Sequence, residues 1–256
     1  MKIRTLVMAL AAFSLMLTAC GNNQAKQEQQ QEQQEQQEQI DDSNNQEVVE
    51  DLSQEEEDSH SPAMNEIRSV WKTNPLSGVA VDGITDIERF ANVFCNEYPN
   101  FDANRDLAKY LKDPDGFGGD TYYNVDIQKQ NGYIHWNGCA VVGCDLTTCY
   151  WNCDNGHKLV AFWMAEDEDE PYVYDRLLLF YDYDPATDKM NPAPALVEPI
   201  ENLVGLGDQL SVSLPDEGKD INISIYHNLG DISFSNYLYR WNGNGFDLEK
   251  TEEKTR

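Results

Sequence analysis

The hydrophobic residues of this chain follow two different periods. In an early segment they recur at intervals of three and four residues, which is the spacing of one helix face. This segment opens with Thr85-Asp86-Ile87-Glu88, a capping-box pattern, and ends at Pro99. A second short helix is predicted over residues 105–112, with Asn104 as its cap. The stripe predicted to be buried in the first helix consists of Ile87, Phe90, Ala91, Phe94 and Tyr98.

Beyond Gly119 the apolar residues tend to alternate, which is typical of strands in a sheet. Asn-Gly dipeptides, which favour the positive φ angles of tight hairpin turns, separate several stretches. No helical pattern lies between them, so we expect antiparallel pairing. The predicted fold class is α+β: a short N-terminal helical pair packed on an antiparallel β-sheet or sandwich. The predicted strands are residues 122–127, 133–136, 158–164, 172–182, 210–214, 221–226 and 232–241.

Residues 1–19 have the pattern of a secretory signal peptide. Lys2 and Arg4 precede an apolar run at residues 6–17, which is too short to be a stable membrane span. The stretch Leu17-Thr18-Ala19-Cys20 resembles the lipobox of bacterial lipoproteins. This resemblance implies that Cys20 becomes the mature N-terminus and carries fatty acyl chains such as palmitate, which anchor the protein in a membrane. Gly21 follows the cysteine, which favours the outer membrane in a cell that has one.

Composition divides the rest of the chain in two. Residues 20–63 are dominated by Gln, Glu and Asp and hold too few apolar residues to form a core, so they predict a disordered linker. Residues 64–256 predict a single globular domain. Acidic residues outnumber basic ones by 46 to 18 over the whole chain. Because phosphate binding needs clustered Lys and Arg, this balance argues against nucleic-acid binding.

From Thr85 on, the order of features also resembles uncharacterised lipoproteins of the bacterial cell envelope. The shared features are a helix that ends in Phe-x-x-x-Tyr-Pro, here Phe94, Tyr98 and Pro99, and a closing Arg-Trp-Asn-Gly hairpin, here residues 240–243. These lipoproteins have no assigned activity, so the resemblance assigns no site residue.

Four cysteines lie close together, at Cys139, Cys144, Cys149 and Cys153, while Cys95 lies on the first predicted helix. An exported chain matures where disulfides persist. Two disulfide bonds are therefore predicted to staple residues 138–153 as a loop and to leave Cys95 as a free, buried thiol. Three connectivities are open, and pairing of Cys95 with one loop cysteine is an alternative. A metal site is another alternative, although no C-x-x-C pair is present.

The sequence carries little recognisable catalytic pattern. The motifs G-x-S-x-G, H-E-x-x-H, G-x-G-x-x-G and the P-loop are absent from it, and no cofactor or metal is predicted. The acidic run at residues 166–170 is interpreted as a solvated loop. Calcium there, or at Asp182, Asp184 and Asp188, is an alternative, although the second segment is explained more simply as a hairpin turn.

The tyrosines and tryptophans suggest a different chemistry. Tyr150, Trp151, Tyr172 and Tyr174 are candidates for a platform on which sugar rings or a peptide would stack. The predicted function is a lipid-anchored, non-catalytic binding module of the cell envelope, for a glycan or an exported protein. The alternative is an envelope hydrolase whose acid–base pair comes from residues 166–170, Asp182 and the histidines.

Overall fold

The computed structural model describes residues 61–80, 85–117, 122–139, 143–169, 172–227 and 233–255. The predicted signal peptide, the lipidation site Cys20 and the linker up to residue 60 lie outside these ranges. The described chain contains eleven strands in two antiparallel sheets, together with a few helices, so its sheet-rich, antiparallel class is as predicted. Within it, no helix combines the length and the apolar character needed to cross a membrane.

The longer helices come first along the chain. Helix α1 spans Pro62–Val70, with Ser61 as its N-cap, and a 3-10 turn follows at Trp71–Thr73. Helix α2 spans Asp86–Glu97 and begins with the predicted capping box, in which Glu88 Oε2 accepts a hydrogen bond from Thr85 N at 3.1 Å. Helix α3 spans Asp102–Lys112 and so begins earlier than predicted.

Asn104 is not the cap of α3 but lies inside the helix, fully buried. Its side-chain Nδ2 donates to Tyr98 O at 2.9 Å, beside the end of α2. The last carbonyls of a helix have no partner within it, so this bond satisfies a group that burial would otherwise penalise. Phe101 is the N-cap residue instead, and its carbonyl accepts from Arg105 N at 3.1 Å.

The first sheet has seven strands in the order β1-β7-β6-β5-β4-β3-β2. From β2 to β7 each strand pairs with its neighbour along the chain. The predicted Asn-Gly turns at Gly132 and Gly156 have φ angles of +67° and +86°, which glycine adopts without strain. The strands are β1 Leu76–Ser77, β2 Tyr122–Gln128, β3 Tyr133–Cys139, β4 Gly143–Asn152, β5 Lys158–Asp169, β6 Tyr172–Asp184 and β7 Lys189–Pro192.

The second sheet has four strands in the order β11-β10-β9-β8. A 3-10 turn at Pro194–Leu196 and the short helix α4, Glu198–Glu201, lie between the two sheets in the sequence. The strands are β8 Gln209–Ser213, β9 Ile221–His227, β10 Ser233–Trp241 and β11 Phe246–Thr255.

The core lies on both faces of the first sheet. On one face, Phe94 of α2 stacks on Phe162 of β5 with ring centroids 3.8 Å apart. On the other face, Phe246 of β11 lies 5.0 Å from the ring of Trp151 in β4 and 5.7 Å from that of Phe180 in β6. The middle strands therefore need apolar residues at successive positions, not at alternate ones.

Two predicted loops are strands. Residues 143–152, predicted as part of a stapled loop, form β4, whose central residues are buried on both faces. The acidic residues 166–169, predicted as a solvated loop, continue β5. There Asp167 Oδ1 lies 2.5 Å from Arg176 Nη2 of the neighbouring strand. Opposite charge across the strand pair compensates the repulsion within the acidic run.

The aromatic stack between α2 and β5 gives a direct test of this core. Phe94 is fully buried, so Phe94→Ala should leave a cavity and lower the free energy of unfolding by about 3–5 kcal/mol. Val70→Ala, at a position that is 39% exposed, should change it by no more than about 0.5 kcal/mol. Urea unfolding followed by fluorescence measures both. Equal losses in the two variants would contradict this account of the core.

Candidate functional site

A cleft of about 580 Å³ opens where the edge strand β8 approaches helix α1 and strand β6. Its volume is within the range of small-molecule sites in proteins, about 300–1,000 Å³. A recess of about 180 Å³ continues it toward Trp71 and Lys72. The cleft is lined by Arg68, Asp175, Arg176, Glu201, Val204, Asp208, Gln209, Leu210, Ser211 and Tyr226.

One wall of the cleft is fixed by an ion pair between α1 and β6. The side chain of Asp175 is fully buried and accepts hydrogen bonds from both terminal nitrogens of Arg68, with Nη1 at 2.9 Å. The same carboxylate accepts from Ser61 N at 3.0 Å, just ahead of α1. Removing one partner of such a pair costs about 3–5 kcal/mol, because the other charge is left buried. The pair therefore holds α1 against the sheet.

The opposite wall starts at the turn Gly205-Leu206-Gly207. Gly207 has a φ of +79°, and Asp208 Oδ2 accepts from Gly205 N at 2.9 Å. Leu206 at the tip is 89% exposed. Strand β8 follows, and its first residue, Gln209, lies opposite Tyr226 of β9. Tyr226 is 47% exposed, and no other aromatic side chain that the structure describes is classed as exposed.

Behind this wall, three side chains form a chain of hydrogen bonds. Asp208 Oδ2 lies 3.0 Å from His227 Nδ1, and His227 Nε2 lies 2.9 Å from Ser235 Oγ. This is the order carboxylate, imidazole, hydroxyl that serine hydrolases use. Ser235 is only 2% exposed, however, whereas an attacking oxygen must reach the substrate. The burial of Ser235 favours a structural role, in which the three side chains link the start of β8 to β9 and β10 by hydrogen bonds.

Two further histidine–carboxylate contacts lie away from the cleft. His157 Nδ1 is 3.0 Å from Asp182 Oδ2. Both belong to the set from which the hydrolase alternative drew its acid–base pair. His135 Nε2 is 3.2 Å from Asp145 Oδ1, which Asn137 also contacts. Burial raises the pKa of Asp145, but the hydrogen bonds from His135 and Asn137 outweigh it and leave the pKa below its ordinary value.

The cysteines do not form the predicted staple. Cys144, Cys149 and Cys153 carry free thiols. The first two lie on β4 and the third follows it, so about 13–17 Å of extended backbone separates neighbours in this series. A disulfide needs Cα atoms within about 7 Å. Two bonds among four cysteines would require one between two of these three, so the two-bridge prediction is wrong. The Cys139 side chain lies outside the described atoms, and Cys95 is a buried, free thiol.

The thiol of Cys144 lies beside an acidic pocket near α1. Cys144 lines a cavity of about 440 Å³ together with Glu66, Asp102 and Glu166. Burial, reinforced by the nearby carboxylates, raises the pKa of Cys144 to about 12. The thiolate, which is the nucleophile and metal ligand, is therefore disfavoured at neutral pH.

The aromatic residues proposed as a stacking platform do not share a surface. Trp151 is 4% exposed, stacks on Trp241 at 5.8 Å and donates from Nε1 to Lys219 O at 2.8 Å. Tyr150 is half-buried against Phe90, on the opposite face of β4. A platform that includes both is therefore wrong. The side chains of residues 172 and 174 lie outside the described atoms.

The acidic segment after β6 is a hairpin turn. Asp184 accepts from Ala186 N and Thr187 Oγ1, each at 2.8 Å. Asp188 has a φ of +53°, and its Oδ1 accepts from Ala80 N at 2.8 Å. The carboxylates of Asp184 and Asp188 are thus engaged in hydrogen bonds with the protein itself. Among the residues described, no group of three His, Cys, Asp or Glu side chains is arranged to hold a metal ion.

Sequence reasoning missed the cleft because its residues come from four separate segments. Only the hairpin β8–β9 carried a usable signal. If Gln209 of β8 is placed opposite Tyr226 of β9, then Asp208, just before β8, lies beside His227, the last residue of β9. Pairing β9 with β10 then puts Ser233 opposite His227 and Ser235 diagonal to it. The contacts of Arg68 with β6 have no comparable signal.

The contact between His157 and Asp182 predicts a pH effect. The hydrogen bond that His157 Nδ1 donates to Asp182, together with the charge of that carboxylate, raises the pKa of His157. Asp182→Asn should therefore bring the imidazole titration midpoint, measured by NMR, down toward about 6.5. Stabilisation from a raised pKa is complete below the unfolded pKa and is lost as pH rises through the folded one. The stability deficit of Asp182→Asn should thus be larger in acid than at alkaline pH.

Asp188→Asn is the matched control, because Asp188 contacts Ala80 and Tyr183 instead of His157. Its His157 midpoint should equal that of the unaltered chain. A midpoint that stays high in Asp182→Asn would show that the hydrogen bond is not its cause.

Comparison with known proteins adds no assignment to this geometry. No protein-family model matches the chain, and neither a curated protein nor a solved structure matches it. The functional argument rests on the chain's own residues.

Proposed function

We propose that this protein is a non-catalytic binding module of the bacterial cell envelope and that the cleft between α1, β6 and β8 is its ligand site. The observation that carries the proposal is the composition of that cleft. An exposed aromatic ring, Tyr226, stands beside polar side chains such as Gln209 and Ser211. A concave site with an aromatic wall and a few polar groups is the usual form of a small-ligand site.

The location in the proposal depends on the leader. The resemblance of residues 17–20 to a lipobox supports a lipid anchor at Cys20, and Gly21 supports the outer membrane. The polar composition of residues 20–63 supports a spacer between that anchor and the folded domain.

The scaffold supports binding more than it supports turnover. On this proposal helices α2 and α3 act as a packed pair that stiffens the first sheet, through the Asn104–Tyr98 hydrogen bond and the Phe94–Phe162 stack. The wall that carries Arg68 is fixed by its ion pair with Asp175. The opposite wall is held by the hydrogen bonds among Asp208, His227 and Ser235. Two fixed walls favour a preformed site, which lowers the entropic cost of binding.

Filling the cleft tests the proposal. Ser211 of β8 is exposed and lines the cleft, so Ser211→Trp should abolish binding of any ligand seated there. The full-length chain is applied to arrays of envelope glycans and of peptides, and signals are compared between variants. Ser213→Trp is the matched control, because Ser213 is also exposed on β8 but lines a different recess.

Signals should vanish in Ser211→Trp and persist in Ser213→Trp. If every signal survived Ser211→Trp, the cleft would not be the ligand site.

A hydrolase is the second candidate, and the chain Asp208–His227–Ser235 is the observation in its favour. In that reaction Ser235 Oγ would attack a substrate carbonyl carbon while its proton passed to His227 Nε2. The burial of Ser235 weighs against it. The contacts of His157 and His135 that the structure describes are with carboxylates and include no serine that could act as the nucleophile.

A fluorophosphonate probe separates the two candidates. A binding module leaves Ser235 unlabelled, so the intact mass of the full chain should not change on incubation with the probe. Ser235→Ala serves as the control for labelling elsewhere. A mass increase of one adduct that disappears in both Ser235→Ala and His227→Gln would establish the hydrolase instead.

A further inference from the structure

Each charged side chain that lines the cleft already has a partner within the protein. Asp208 lies 3.0 Å from His227 Nδ1. Arg68 pairs with Asp175, and Arg176 with Asp167. Lys72 and Glu201 of the adjoining recess lie 3.8 Å apart. A charged ligand would have to compete with these pairs and would leave a partner uncompensated, which is costly where the site is partly buried. A neutral ligand meets no such penalty.

The neutral polar groups of the cleft lie together on β8. Gln209 offers an amide that both donates and accepts, and Ser211 offers a hydroxyl. They are two residues apart on one strand, so both side chains leave the same face of the sheet. This set matches a ligand whose edge presents several hydroxyl groups, each of which also donates and accepts.

Tyr226 adds a flat apolar surface beside these groups. It lies directly opposite Gln209 in the β8–β9 ladder, and its ring is 6.2 Å from that of Phe234. A saccharide ring has an apolar face of C–H groups and a rim of hydroxyls. Such a ring can stack on an exposed tyrosine while its rim bonds to an adjacent amide and hydroxyl.

We propose that the cleft binds a neutral saccharide segment, with one sugar ring stacked on Tyr226 and its hydroxyls hydrogen-bonded to Gln209 and Ser211. This inference rests on the proposed binding function and names the ligand class of the same site. An extended peptide would be held chiefly by the backbone of the β8 edge, so its affinity would depend little on the Tyr226 ring.

Calorimetric titration of the full-length chain tests the inference. The probes are short neutral hexose and N-acetylhexosamine oligomers, uronic-acid oligomers, and peptides recovered from the array. The expected result is saturable binding of a neutral oligomer. Tyr226→Ala should weaken it by about tenfold, which corresponds to about 1.4 kcal/mol. Tyr226→Phe, which keeps the ring, should stay within about threefold of the unaltered chain.

Gln209→Ala should weaken binding of the same oligomer. Gln128→Ala is its matched control, because Gln128 lies on β2 and does not line the cleft. The proton NMR spectrum of each variant establishes that it is folded. Retained affinity in Tyr226→Ala would overturn the stacking arrangement.

These outcomes also distinguish a failure of the saccharide inference from a failure of the proposed binding function. Suppose that no neutral oligomer binds, but that a uronic-acid oligomer or a peptide does and that Ser211→Trp abolishes this binding. The proposal of a neutral saccharide ligand would then be overturned, while the cleft would remain a binding site. If no probe shows binding that Ser211→Trp abolishes, both proposals fail.

Discussion

The burial of β5 and β6 on both faces is the constraint on which the rest of the architecture depends. A strand covered on one side only can alternate, but these two must present apolar side chains at successive positions. Residues 159–165 of β5 are all buried, as are residues 177–181 of β6. Helical residues cover one face and the second sheet covers the other. The positions of both layers therefore depend on the strand pair β5–β6, against which they pack.

The cleft is a by-product of this layering. The second sheet approaches β6 through its edge strand β8, while α1 approaches it from the other side through Arg68 and Asp175. Neither layer fills the space at the start of β6, so polar side chains from both remain accessible there. Each wall is anchored by side-chain contacts, one through Arg68 and Asp175 and the other through Asp208 and His227, so the cleft has a defined shape.

Local signals were sufficient for most of the fold and for little of the site. The capping box at Thr85–Glu88 and the Asn-Gly turns are read from adjacent residues, and both were correct. Strand β4 was missed because its cysteines suggested a disulfide-stapled loop, whereas the structure buries them on a strand that is covered on both faces. Strand β11 was missed because an edge strand rich in Glu and Lys carries no apolar alternation.

The residues of the candidate site could not be identified from adjacent residues, because their exposure depends on how the layers pack. Trp151 was proposed as a binding residue from its type alone, and the second sheet buries it. Tyr226 attracts no attention in the sequence, yet the register of one hairpin leaves it exposed beside Gln209. Long-range placement, such as Arg68 against Asp175, depends on how layers meet, and no spacing along the chain encodes it.

The nearly sequential order of the strands has a consequence for the assembly of the chain. Pairing between neighbours closes only short loops, so each hairpin can form as soon as its two strands have emerged. The segment around β1 departs from this order: β1 pairs with β7, and Asp175 accepts a hydrogen bond from Ser61, which lies 114 residues earlier. The segment that is synthesised before the sheets can thus dock only after β6 and β7 have emerged. The cleft is complete only when this segment and the later strand β8 are both in place.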